Sequence, residues 1–192
     1  MNKFPVCPIF IPANRLEWVE KTFKKGADAL IIDLEDSVPN DEKVETRTNL
    51  LSYLEAKDFD NTILIRVNPL DTKFGKDDMD LLSGVSSKID AFILPKIEEA
   101  DLLNDLPDNL VVLIETPKAV KNLGYLACHK NVIGIALGGA DLSASLGADM
   151  SWDSLLFTRS AIIIEAATNG LFTIDSPFMN IEDISSLKRE AD

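Results

Sequence analysis

Seven short apolar runs, each leading into polar or charged residues and each separated from the next by a helix-length segment, limit what this sequence can fold into. They are Cys7–Ile11, Ala29–Leu34, Thr62–Val67, Ala91–Leu94, Val111–Ile114, Val132–Leu137 and Leu171–Ile174. Their ends recur at intervals of roughly 20 to 37 residues, the spacing of βα units and so of a parallel sheet. An open doubly wound sheet gathers its functional groups at one switch point, whereas a (β/α)8 TIM barrel spreads them around a ring of strand ends. Polar residues follow every run here, so the expected fold is a single α/β barrel domain over residues 1–192. It is one strand short of closure, since a full barrel takes about 250 residues.

Helices are predicted over Arg15–Lys25 with Asn14 as cap, over Asp41–Ala56 with Val44, Leu50, Leu51 and Leu54 inward, and around Asp77–Leu82. Others are expected over Glu98–Leu106, over Pro117–Ala127, from a Ser151 cap to Ala167 with Gly170 as stop, and over Ile181–Glu190. A net charge of −13 argues against a nucleic-acid or anionic-membrane partner. Cys7 and Cys128 match no metal spacing and read as reduced thiols; with no signal segment or membrane-length apolar run, a cytoplasmic protein is expected.

The chemistry concentrates in Leu110–Asp141, where one apolar run ends at Glu115 and the next at Gly138-Gly139-Ala140-Asp141. In a parallel sheet both acids emerge at the carboxyl ends of adjacent strands, the side that binds ligands. Two such carboxylates suit Mg2+, which leaves coordination positions for water and substrate oxygens; the alternative is that each caps a helix. The Gly-Gly-Ala turn adds backbone N–H groups able to meet a substrate carboxylate closely. Arg66 ends the run ILIRV, where an unpaired guanidinium is costly. It could hold a developing enolate, form an ion pair with Glu35 or Asp36, or do both. Lys96 could add positive charge and Arg15 could meet a phosphate, with solvated side chains as the alternative. Asp175 faces the same ring or caps a helix, and His129, the only histidine, falls at the opposite end of the strands.

Taken in order, FIPANR (10–15), GADALIIDLEDSV (26–38), IRVNP (65–69), ILPKIEEADLL (93–103), LIET (113–116), IGIALGGADLSASLG (133–147) and GLFTIDSPF (170–178) resemble the citrate lyase beta subunit and the malyl-CoA and citramalyl-CoA lyases. These belong to the 2-oxo acid aldolases with a pyruvate kinase-like barrel. The resemblance implies Mg2+ on Glu115 and Asp141, substrate-carboxylate contacts at Gly139 and Ala140, and Arg66 against the substrate carbonyl or enolate, supported by Glu35 and Asp36. It implies cleavage of a 3-hydroxyacyl thioester into an acyl thioester and a 2-oxo acid, in a homo-oligomer, trimeric by analogy. Relatives continue into an eighth strand with a Gly-Lys…Ile-His-Pro pattern and a C-terminal extension that help hold CoA; this sequence has neither. A CoA-independent 2-oxo acid aldolase and a non-catalytic oxo-acid and metal-binding barrel are the alternatives.

Overall fold

The structure is a computed structural model that describes residues 5–180 and 182–191. Strand β1 (Pro8–Pro12) leads into a 3-10 helix (Ala13–Trp18) and helix α1 (Val19–Lys24). Then follow β2 (Ala29–Asp33), α2 (Lys43–Ala56), β3 (Thr62–Arg66), α3 (Lys73–Leu82) and a 3-10 helix (Ser83–Lys88). Next come β4 (Ala91–Leu94), a 3-10 helix (Ala100–Leu103), β5 (Leu110–Ile114), α4 (Pro117–Lys121), α5 (Leu123–Ala127) and β6 (Val132–Leu137). The remaining elements are α6 (Gly139–Leu146), α7 (Trp152–Asn169), β7 (Phe172–Ile174) and α8 (Ile184–Ala191).

All seven strands are parallel and each pairs with its neighbours in sequence, giving the order β1-β2-β3-β4-β5-β6-β7. The sheet curls into a half-barrel with β1 and β7 at its edges, so the closed eight-stranded ring is replaced, among the described residues, by an open seven-stranded one. Strand alternation divides its side chains into two layers. Leu30, Ile32, Ile63, Ile65, Phe92, Leu94, Val112, Ile114 and Ile135 point outward into the main core with Leu50, Leu54, Leu82, Leu126, Leu155 and Ile162 of the helices. Ala29, Ile31, Leu64, Ala91, Ile93, Val111, Leu113 and Ala136 form a smaller cluster on the inner face. Continuing the inner rows by two residues reaches Asp33 from Ile31, Arg66 from Leu64 and Glu115 from Leu113. The pleat therefore delivers all three polar side chains to one concave surface.

Several predicted helices differ. The one expected from Arg15 begins as a 3-10 turn with a non-helical Arg15 (φ −129°, ψ 44°), and Asn14 does not cap it; its amide donates to Glu42 at 2.7 Å. On α2 the inward stripe is Lys43, Thr46, Arg47, Leu50 and Leu54, while Val44 is 59% exposed. Those positions follow the i, i+3, i+4, i+7 rule, but two of them are charged, so hydrophobicity alone mis-sets the phase. Glu98–Leu106 contains only the 3-10 helix Ala100–Leu103, and Pro117–Ala127 breaks at Asn122 into α4 and α5. Ser151 caps α7, accepting from the Ser154 N–H at 3.3 Å, and Gly170 ends it at φ +69°, as expected. Of the predicted last helix, Ile181 lies outside the described residues and the observed element is Ile184–Ala191.

Candidate active site

Two corners of the concave face carry the polar side chains. The first joins β2 to β3. Strand register sets Asp33 directly opposite Arg66, and the pair is bidentate: Arg66 Nε donates to Asp33 Oδ1 at 2.7 Å and Nη2 to Oδ2 at 2.8 Å. Arg66 Nη1 faces Glu35 Oε2 at 3.2 Å and Asp36 Oδ2 at 3.6 Å. The guanidinium also lies 5.1 Å from the centre of the Phe10 ring. Burial works to raise the Asp33 carboxyl, but Arg66 and the Ser37 and Glu35 N–H groups outweigh it and hold it below its ordinary range. Glu35 goes the other way. Burial, with the charges of Asp36 and Glu115, pushes it to about 7 against the pull of Arg66 and Lys96.

The second corner joins β5 to β6. Neither acid caps a helix. Thr116 caps α4, accepting from the Ala119 N–H at 3.1 Å, and no side chain caps α6. Buried Glu115 accepts instead from the Lys96 backbone N–H at 2.7 Å. Burial and the charge of Asp141 push Glu115 to about 7, with Lys96 and Arg66 opposing. Lys96 takes an unusual backbone, φ +54°, to make that contact. Its Nζ stands 3.7 Å from Asp141 Oδ2 and 3.9 Å from Glu35 Oε1, between the two corners. Next to Ile114 and Leu137, which pair in register, Glu115 meets Gly138 so closely that a Cβ there would fall 2.5 Å from its own and 2.8 Å from Oε2. Only glycine fits.

Gly138-Gly139-Ala140 is the start of α6 rather than a free turn. The Gly139 N–H is already used: it donates to Ser176 Oγ at 2.8 Å, and that hydroxyl donates to the Leu137 carbonyl at 2.9 Å. The Gly139 N–H is thereby occupied within the fold, while Ala140 and Asp141 lie in the same first turn, whose N–H groups an α-helix leaves without partners of its own.

These residues suit a hard cation. Glu115 and Asp141 are two carboxylates within electrostatic range of each other, and burial together with the Asp141 charge raises the proton affinity of Glu115, which a bound cation would offset.

A family model described as HpcH/HpaI aldolase/citrate lyase matches residues 7–109 and 106–192. The chain belongs to the HpcH/HpaI aldolase/citrate lyase family. It is similar to a (3S)-malyl-CoA thioesterase of Cereibacter sphaeroides, 31% identical over 96% of this chain and 67% of the relative. An L-malyl-CoA/beta-methylmalyl-CoA lyase of the same species is 29% identical over 96% of this chain and 70% of its own. Among solved structures, a citrate lyase beta subunit from M. tuberculosis complexed with oxaloacetate and magnesium superposes with a TM-score of 0.81, at 27% identity over 95% of this chain and 83% of that one. These relatives are CoA-ester lyases and thioesterases, and this chain is an enzyme of their family.

Two further residues expected at the site have other surroundings within the fold. Asp175 is engaged by buried Arg159, whose Nε lies 2.9 Å from Asp175 Oδ2 and whose Nη2 lies 3.2 Å from Glu190 Oε2. Its carboxylate is a structural partner because β7 ends beside α7, which supplies the arginine. Arg15 is exposed in the turn after β1 and makes no ion pair with a described residue. Sequence reasoning missed Asp33, Phe10 and Ser176. The period-2 rows ending at Asp33 and passing through Phe10 carried a signal for two of them; nothing local distinguishes Ser176.

Proposed function

We propose that this chain is a Mg2+-dependent carbon–carbon lyase that splits a 3-hydroxyacyl thioester of the citryl-, malyl- or citramalyl-CoA type into an acyl thioester and a 2-oxo acid. The observation that supports it is the under-neutralised Glu115–Asp141 pair facing, across Lys96, an arginine locked by Asp33. Glu115 and Asp141 would hold the Mg2+, which when bound polarises the oxygen of the oxo-acid carbonyl. The Ala140 and Asp141 N–H groups would receive the oxo-acid carboxylate at the start of α6. Loss of the hydroxyl proton makes that oxygen a carbonyl, and the carbon–carbon bonding pair moves onto the thioester, whose enolate oxygen meets Arg66 Nη1. Glu35, held near neutrality beside Arg66, is the group suited to take the hydroxyl proton and return it to the enolate carbon.

Hydrolysis of the thioester is a second reading, favoured by the malyl-CoA thioesterase relative. A paired assay separates them: malyl-, citramalyl- and citryl-CoA beside CoA-free hydroxy-oxo acids, with Mg2+ or EDTA, followed for 2-oxo acid and free thiol, with oxaloacetate and pyruvate binding measured alongside. The lyase reading expects Mg2+-dependent oxo acid without thiol. Thiol without oxo acid would replace it with hydrolysis. Turnover only of CoA-free hydroxy-oxo acids would make the chain a small aldolase, and oxo-acid binding without turnover a binding protein.

A further inference from the structure

Lys43 is misplaced by two ordinary criteria. It opens α2, where the helix dipole disfavours a cation, and it is 5% exposed, where an ammonium requires full hydrogen bonding. Its Nζ finds three oxygens: the Leu34 carbonyl at 2.8 Å, the Glu35 carbonyl at 2.5 Å and Asn68 Oδ1 at 2.7 Å. An ammonium has three donors, and all are used. The acceptor side chain is itself fixed. Asn68 donates through Nδ2 to Asp78 Oδ2 at 2.7 Å and to the Leu34 carbonyl at 3.0 Å, and its backbone N–H reaches Asp78 at 2.9 Å. Arg47, one turn along α2, holds the other Asp78 oxygen at 3.0 Å. The network runs Arg47–Asp78–Asn68–Lys43 and ends on the turn after β2.

Where it ends is specific. The Leu34 and Glu35 carbonyls belong to the two peptide planes on either side of the Glu35 α-carbon. Fixing both planes fixes the direction in which the Glu35 side chain leaves the backbone. That turn also crowds Asp33, Glu35 and Asp36 around a single guanidinium, so a buried positive charge beneath it offsets their mutual repulsion.

We propose that Lys43 is a positioning residue, holding the turn after β2 so that the Glu35 carboxylate stays on Arg66. The catalytic consequence rests on the function proposed above, in which Glu35 and Arg66 act on substrate; the positional claim does not. Lys43→Met keeps the length and removes the three donors. It is expected to lower kcat by about 10- to 100-fold, the usual loss when the partner of a site group is removed, with KM changed less than about threefold. Leu54→Ala on the same helix is the control: its unfolding midpoint falls, but kcat stays at the wild-type value at a temperature where it is folded. In a Cys7→Ser, Cys128→Ser background, Lys43→Cys alkylated with 2-bromoethylamine and refolded restores the ammonium and is expected to recover kcat. A crystal structure of Lys43→Met is expected to show Glu35 moved away from Arg66 Nη1, while Asp33 stays bidentate. Glu35 remaining in place, or a kcat loss that Leu54→Ala reproduces at equal stability, overturns the proposal. Wild type without lyase turnover but with Glu35 displaced in Lys43→Met would defeat the function and leave the positioning standing. If Lys43→Met does not fold, Asn68→Ala carries the same test, with a several-fold loss of kcat and the same displacement expected.

Discussion

The two corners of the concave face each bury a carboxylate at a strand end, Asp33 in one and Glu115 in the other, and these two are in opposite electrostatic states. At the β2–β3 corner Asp33 has two N–H donors from one guanidinium and two more from the backbone, and it stays ionised although buried. At the β5–β6 corner Glu115 has one backbone donor and an exposed lysine nearby, and burial wins. A carboxylate satisfied by its own fold serves as scaffold, whereas one left short of positive charge is ready to receive it from a ligand. The division of labour proposed for the site follows that difference.

The largest test of the contrast removes the open corner. Asp141→Ala should abolish Mg2+ binding by calorimetry and lower kcat by roughly 10³-fold, the scale of a metal's contribution. The circular dichroism spectrum should be unchanged, since Asp141 is half-exposed. Retained Mg2+ affinity would remove this corner as the metal site. Arg66→Met strikes the closed corner. It leaves Asp33 buried without its partner, at a cost of about 3–5 kcal/mol in urea unfolding, with Mg2+ binding retained; adding Asp33→Asn should recover part of the loss. If Mg2+ binding collapses together with stability, the corners are not separable.

Acid–base behaviour sharpens the comparison at intermediate size. The folded Glu115 carboxyl sits at about 7 against an ordinary 4.5. Between those values the unfolded chain has released a proton that the folded protein retains, so this group's contribution falls as pH rises through the window. Metal-free protein should therefore lose thermal stability from pH 5 to 7.5, with saturating Mg2+ reversing the loss, and Mg2+ affinity should weaken by up to about tenfold per pH unit below 7. Flat Mg2+ affinity across that range would contradict the assignment. The smallest effect is expected at Lys96. Removing a half-exposed charge 3.7 Å from Asp141 by Lys96→Met should tighten Mg2+ by roughly two- to fivefold; weaker binding would show that Lys96 organises the corner instead of competing with the ion.

Much of this architecture was legible in the sequence. The apolar runs gave the strands nearly to the residue, because a strand buried on both faces must be continuously apolar. Arg66, Glu115 and Asp141 stood out as charges at the ends of such runs. Glu35 and Asp36, the expected partners of Arg66, do face its Nη1; Asp33 did not stand out, because it lies inside the run Ala29–Leu34. Inner-face alternation, 31 to 33 and 64 to 66, is the information that adds Asp33 as the bidentate partner. Lys43 and Arg47 hid the phase of α2 because inward charges read as outward ones. The backbone of Lys96 and the bond from Gly139 to Ser176 depend on contacts between distant segments, and no local pattern encodes them.

The Ser176 hydroxyl has a consequence for observing this enzyme at work. It ties the first N–H of α6 to the residue beside Asp175, Asp175 grips Arg159, and Arg159 lies 4.7 Å from the centre of the Trp152 ring. With only two tryptophans in the chain, intrinsic fluorescence is simple enough to follow one. A cation against an indole alters its emission, so an oxo acid arriving at α6 and shifting that short line of contacts would be read optically at Trp152. Trp152→Phe should silence the signal while leaving turnover intact. Occupancy of the site could then be titrated without a label.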